Sequence, residues 1–388
     1  MTSQQLCDAA GRGDVREVER LVREERVDVD GTNRYGQTAL HTASQCGHVD
    51  VVDCLLREGA SVDATSLYGD TPLHDACEKG HVGVVRVLVG GGARVDAKGY
   101  NDSTPLHRAC WNGHIAVVDW LVREGGADVH ARDGYGRTPL SDACSEGHLD
   151  VVKVLVEGQA SVHVHDKDGN TPLHRACEFG HIAVVDWLVR EGGADVHARD
   201  GYGRTPLSDA CSEGHLDVVK VLVEGQASVH VHDKDGDTPL HHACMCRHVG
   251  VVEWLVLHAH ACVHTKNNNG CYPFMEMGLD SRDDLPLARL LISEATDLSA
   301  IGRDIDGDTV SAHSHVCGVV PPAFQATPHT CKNFLLAPAR RAKIQTFCLA
   351  RHKRAGRNSH MGMLVDDVVE MVFVHLLMQE GGGVSESE

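Results

Sequence analysis

Apolar residues in this chain fall into short stripes at helical spacing, cut by glycine. After Thr138, Leu140, Ala143 and Cys144 stand at i, i+3 and i+4, and Gly147 closes the run. Leu149, Val151, Val152, Leu155 and Val156 then form a second stripe that Gly158 ends. The spacing predicts two amphipathic helices, each too short to hold without neighbours. Thr138 caps the first, Pro139 takes its first position, where a missing N–H is harmless, and glycine ends each helix. Asp133-Gly-Tyr-Gly136 before it reads as a tight turn, and Ala160–Val164 after it as an extended connection.

The pattern recurs. Thr38-Ala-Leu-His41 is followed by Thr71-Pro-Leu-His74, Thr104-Pro-Leu-His107, Thr138-Pro-Leu-Ser141, Thr171-Pro-Leu-His174, Thr205-Pro-Leu-Ser208 and Thr238-Pro-Leu-His241, at steps of 33 or 34 residues. A period held this tightly predicts stacked units without a single central core. Residues 114–169 are identical to 181–236, so a two-repeat unit is present twice, offset by 67. The extra residue of the longer steps is a glycine in Glu124-Gly-Gly-Ala127 and Glu191-Gly-Gly-Ala194, so the register slips in a loop.

The Thr-Pro-Leu-His-x-Ala motif at this period resembles the ankyrin repeat family, over roughly residues 3–267. The resemblance implies an all-α solenoid whose repeats each carry two antiparallel helices and a projecting β-hairpin loop. About eight repeats are expected in 3–267. Residues 3–33 lack the motif, keep Leu6, Ala9, Ala10, Val18 and Leu21, and read as an N-terminal cap. Residues 268–304 read as a degenerate last repeat, with Tyr272-Pro-Phe-Met275 in place of the motif and a second helix at Leu285–Ile292. Arg247 replaces the usual glycine, so an irregular helix end is expected there.

Composition agrees with thin layers: 42% of the chain is hydrophobic but only 4% aromatic. Residues 301–388 hold 9 acidic and 9 basic side chains, so residues 1–300 carry the whole net charge of −19. An array this acidic favours a protein partner with a basic surface and disfavours nucleic acid and anionic membrane. Neither a signal peptide nor a membrane span is expected from the pattern. Cys77, Cys110, Cys144, Cys177, Cys211 and Cys244 keep the repeat phase. Stacked about 10 Å apart, they lie beyond disulfide reach and read as small buried residues of a reducing, cytoplasmic or nuclear, compartment.

The 28 histidines mostly occupy two phased slots, one closing the motif and one opening the second helix. Both suit turn hydrogen bonds better than ligation. His241, Cys244 and His248 fall in these slots, which argues against zinc. Asp233–Asp237 and Asp304–Asp308 imitate a calcium loop but lack its sixth-position glycine and twelfth-position glutamate. Ser141 and Ser208 have no nucleophile-elbow motif around them, and no phosphate-cradling glycine loop occurs. No catalytic, cofactor or metal site is therefore expected.

Candidate partner contacts lie where the repeats differ. The residue after the motif reads Asp75, Arg108, Asp142, Arg175, Asp209, His242. This alternation is either a set of inter-repeat salt bridges or a charge ruler that sets a partner's register. Trp111 and Phe179 end their first helices where sister repeats carry serine or glutamate, and they suit either interface anchors or local packing. Trp120, Trp187 and Trp254 recur on second helices and are expected to pack between repeats.

Beyond the array, 305–339 reads as a linker and 340–378 as a helical segment, followed by a disordered tail at 379–388. Residues 332–357 carry eight basic and no acidic side chains. They suit a nuclear-import signal at 340–354, a solvated helix, or a segment that folds onto the acidic array. Ile344-Gln-Thr-Phe-Cys348 has the spacing of a suppressor-of-cytokine-signalling box, and Leu364–Leu376 is similar to the start of an F-box. These similarities imply ubiquitin-ligase components as partners at 340–377. The expected function is a non-catalytic adaptor that holds a protein in the concave face of the array. The alternative is a substrate receptor of a cullin-type ligase.

Overall fold

A computed structural model describes residues 3–273, which divide after Lys234 into two compact units. The first unit holds α1 (Ser3–Arg12), α2 (Val15–Glu19, continued by a π-helical turn Arg20–Glu24), α3 (Ala39–Cys46), α4 (Val49–Arg57), α5 (Pro72–Lys79), α6 (Val82–Gly90), α7 (Pro105–Trp111), α8 (Ile115–Arg123), α9 (Pro139–Ser145), α10 (Leu149–Glu157), α11 (Pro172–Glu178), α12 (Ile182–Arg190), α13 (Pro206–Glu213) and α14 (Leu216–Glu224). The described part of the second holds α15 (Pro239–Met245) and α16 (Val249–Leu257). Within the first unit, odd-numbered helices pack on one another in sequence, and even-numbered helices do the same. Two helical layers result, the arrangement of an all-α ankyrin solenoid.

Each repeat buries the same set. In α9 and α10 it is Leu140, Ala143, Cys144, Val151, Val152 and Leu155, while Leu149 and Val156, expected inside, are half-buried. A buried leucine contributes about 2 kcal/mol, so stability accrues by layers. The phased cysteines are all buried, and those at 77, 110, 144 and 177 carry free thiols. Burial pushes the thiols of Cys77, Cys110, Cys144 and Cys177 well up, as expected of packing residues.

The histidines tie the layers. In the first slot, His107 Nδ1 lies 2.8 Å from Thr104 Oγ1 and accepts from the Thr104 N–H, closing the helix cap. Its Nε2 stands 3.1 Å from the Arg137 carbonyl of the next turn. In the second slot, His181 Nε2 reaches the Ser145 carbonyl of the preceding repeat at 2.7 Å. Gly147 is required beside it. Its φ is +76°, and a Cβ there would meet the His181 ring at 2.4 Å.

Two expectations are corrected. No strand occurs among the described residues, so the loops are not β-hairpins. Tight turns replace them, closed locally by an aspartate at 133, 166 and 200 and by an asparagine at 33 and 267. Asp133 Oδ1 accepts from the N–H groups of Tyr135 and Arg137, and a single backbone bond, Lys167 N–H to the Tyr135 carbonyl, links this tip to the next. The helix end near Arg247 is regular, since Arg247 takes the glycine conformation at φ 63°. Residues 274–304 of the degenerate last repeat, the linker, the basic segment, both box-like motifs and the tail lie outside the described residues. No described helix is long and apolar enough to cross a membrane.

Candidate protein-binding surface

The six residues after the motif are less exposed than a charge ruler requires. Asp142, Asp209 and His242 are buried, and Asp75, Arg108 and Arg175 are half-buried. In the first unit the alternating charges do not pair with one another. Arg108 Nη2 bonds Asp70 at 3.1 Å, and Arg175 Nη2 bonds Asp166 at 2.5 Å. Both partners lie in turns, because a first-helix arginine points toward the tips while its aspartate counterparts stay beneath. Arg137 Nε stands 3.7 Å from Asp142, and Arg204 Nη1 stands 3.7 Å from Asp209.

Burial pushes the carboxyls of Asp75, Asp142 and Asp209 up to about 7. Asp70 and Glu78 raise Asp75 further, whereas Arg137 and Arg204 offset part of the burial for Asp142 and Asp209. Asp75 Oδ2 and Asp142 Oδ1 are buried without a hydrogen-bond partner. In the second unit, His241 is held by Thr238 and by the Cys271 carbonyl, at 2.8 and 3.2 Å, which leaves its ring committed to structure. Among the described residues no three His, Cys, Asp or Glu side chains are grouped to hold a metal ion.

Trp111 and Phe179 are exposed, at 41% and 51%. Phe179 stacks on His181, with ring centroids 6.5 Å apart. The Arg137 guanidinium lies 5.6 Å from the Trp111 ring and 5.1 Å from Tyr135. Trp120 and Trp187 are half-buried, each donating its Nε1–H to a glutamate four residues on.

The sequence reading missed the turn tips. Tyr35, Tyr68, Tyr100, Tyr135 and Tyr202 are all exposed. Several join into one strip. Leu67 N–H bonds the Tyr35 carbonyl, Tyr68 packs edge-on to Tyr100 at 6.2 Å, and Asn101 donates to the Tyr135 hydroxyl at 3.3 Å. Arg137 then joins Tyr135 to Trp111. The signal was available in the phased Tyr-Gly pairs at 35, 68, 135 and 202, which the turn glycines obscured. Tyrosines held by rigid turns present large contact area at small entropic cost, as protein-binding surfaces do.

A family model described as ankyrin repeats (3 copies) matches residues 6–99, 54–133, 106–200 and 192–268. Comparison with curated proteins gave no match.

Proposed function

The chain belongs to the ankyrin-repeat family, and we propose that it is a non-catalytic scaffold that captures a protein partner along the strip from Tyr35 to Trp111. The continuity of that strip carries the reading, since large exposed apolar groups joined in a row mark interaction surfaces. Within the same unit, Phe179, Asp75, Arg108, Asp142, Arg175 and Asp209 are the residues that set specificity, and His242 is a separate contact of the second unit. The charge of −19 favours a partner with a basic surface, and capture should weaken as salt rises. Free, buried cysteines support a reducing compartment, cytoplasmic or nuclear.

A photo-crosslinker at Tyr135, with the same group at Asp150 on α10 as control, identifies the partner. Calorimetric titration of that purified partner then compares the wild type with Trp111→Ala and Phe179→Ala. Loss of about tenfold in affinity is expected. Unchanged affinity in both variants removes the strip's end from the interface. The second reading, a ubiquitin-ligase receptor, rests on Ile344-Gln-Thr-Phe-Cys348. It requires residues 340–377 to bind purified elongin, Skp or cullin components.

A further inference from the structure

The duplicated unit appears twice with one telling difference. Glu178 stands where Trp111 stands in the first copy. Trp111 lies over Arg137, whereas in the second copy Arg204, the counterpart of Arg137, borders a cavity of about 230 Å³. The cavity is lined by Asp168, Arg175, Glu178, Arg204, Asp209 and Glu213, with Tyr202 at its edge. Four carboxylates thus face two guanidiniums, and both guanidiniums are already engaged. Arg175 bonds Asp166 at 2.5 Å and Glu178 at 2.9 Å, and Arg204 bonds Asp200 at 2.9 Å.

Asp209 is the most weakly held member, paired with Arg204 alone. It is only 6% exposed, yet it faces the cavity. Its nearest ion partner, Arg204 Nη1, stands 3.7 Å from Oδ1, too far for a hydrogen bond. Neither of its carboxylate oxygens accepts a hydrogen bond from any described residue. Burial raises this carboxyl to about 7, and above that pH it is an acceptor that any entering donor stabilises. Asp168 and Glu213 at the mouth are exposed and free of ion pairs with described residues, so an entering cation meets two more negative groups.

We propose that this cavity is a specificity pocket for a basic side chain, an arginine or lysine, of the protein partner. The proposal rests on the scaffold reading and deepens it, by giving the partner's charge a defined seat. An arginine side chain fits a cavity of this size, and its planar donors suit paired carboxylates.

The test uses the full chain without any partner. Saturation-transfer NMR titrates Nα-acetylarginine amide and Nα-acetyllysine amide, with Nα-acetylcitrulline amide as the uncharged control and inorganic phosphate as the opposite charge. The basic amides should bind and the citrulline amide should bind about tenfold more weakly. Glu178→Trp should abolish the signal by filling the cavity, as the tolerated Trp111 does in the sister repeat. Asp168→Asn, on an exposed turn, should weaken it several-fold without touching the core, which guards against a misfolded Glu178→Trp. Equal binding of citrulline and arginine amides, preferential binding of phosphate, or an undiminished signal in both variants would overturn the proposal. Any of these leaves the scaffold reading standing if Trp111→Ala still weakens partner capture.

Discussion

The repeats at 101–157 and 168–224 are two copies of one unit, and the contrast between them separates what builds the array from what the array does. From residue 114 onward the two sequences are the same, and so are their caps, their histidine ties and their buried Leu, Ala, Cys and Val positions. Five differences lie just upstream: Asn101/Asp168, Asp102/Gly169, Ser103/Asn170, Trp111/Glu178 and Asn112/Phe179. All five sit in a turn or at a first-helix end. They convert a surface covered by Trp111 into an open polar cavity. The two copies keep the same packing residues and differ at the surface.

If packing is common to both copies, breaking it should hurt both equally. Gly113 and Gly180 have φ of +72° and +75°, and a Cβ on either would meet the following histidine at 2.6 Å. Gly113→Ala and Gly180→Ala should each cost about 2–3 kcal/mol, from left-handed strain plus displacement of His148 or His215. Denaturant titration followed by hydrogen exchange checks this. A difference of more than about 1 kcal/mol between the two would show that the copies are not mechanically equivalent.

A smaller effect concerns the buried acids. The Asp142 and Asp209 carboxyls are raised to about 7, above their ordinary value of 3.8, so the folded chain keeps protons that the unfolded chain has released. Stability from these groups is therefore full below pH 4, falls as pH climbs toward 7, and then levels. His107 and His174 act oppositely. Burial lowers both imidazoles to about 4, so their contribution is lost as pH falls from 6.5. Asp142 faces Arg137, Asp133, Glu146 and Arg108, and Asp209 faces Arg204, Asp200, Glu178 and Arg175. Asp142→Asn should raise stability at pH 8 by about 1–2 kcal/mol and leave pH 4 nearly unchanged. Denaturation midpoints at pH 4, 6 and 8 measure it, and an unaltered slope would contradict the burial argument. Asp209→Asn should respond less, because its carboxylate borders the cavity rather than packed side chains.

Most of the fold was legible because packing is periodic. Leu140, Ala143, Cys144 and their counterparts recur at one phase, and a repeat that recurs identifies its own core. The turn hydrogen bonds of His107 and His181 were legible for the same reason, whereas the part of His107 in closing the Thr104 cap was not. The site was less so. Asp142 and Arg175 occupy equivalent positions in sequence but different depths, buried and half-buried, since the arginine is long enough to reach a turn aspartate and the aspartate is not. Asp70 illustrates the limit further. It bonds the Tyr100 N–H and Arg108 in place of an aspartate that Gly99 lacks, a contact between neighbouring repeats that no local pattern announces. Arg247 erred the other way, because the surrounding turn imposes the glycine conformation on it.

The smallest expected effect tests the contrast most directly. Trp111→Glu gives the first copy the residue of the second. Arg137 would lose a ring 5.6 Å from its guanidinium, worth about 0.5–1 kcal/mol at an exposed site. Arg108 would gain the i, i+3 partner that Arg175 has in Glu178 at 2.9 Å, worth about 0.3–0.5 kcal/mol. The two nearly cancel, so stability should shift by less than about 1 kcal/mol while the surface changes character. The variant should acquire a second site for Nα-acetylarginine amide, weaker than the first because Asn101 supplies no charge where Asp168 does. A titration that still fits one site, in a variant of unchanged stability, would mean that the turn residues at 101–103 rather than the helix-end residue decide whether the cavity opens.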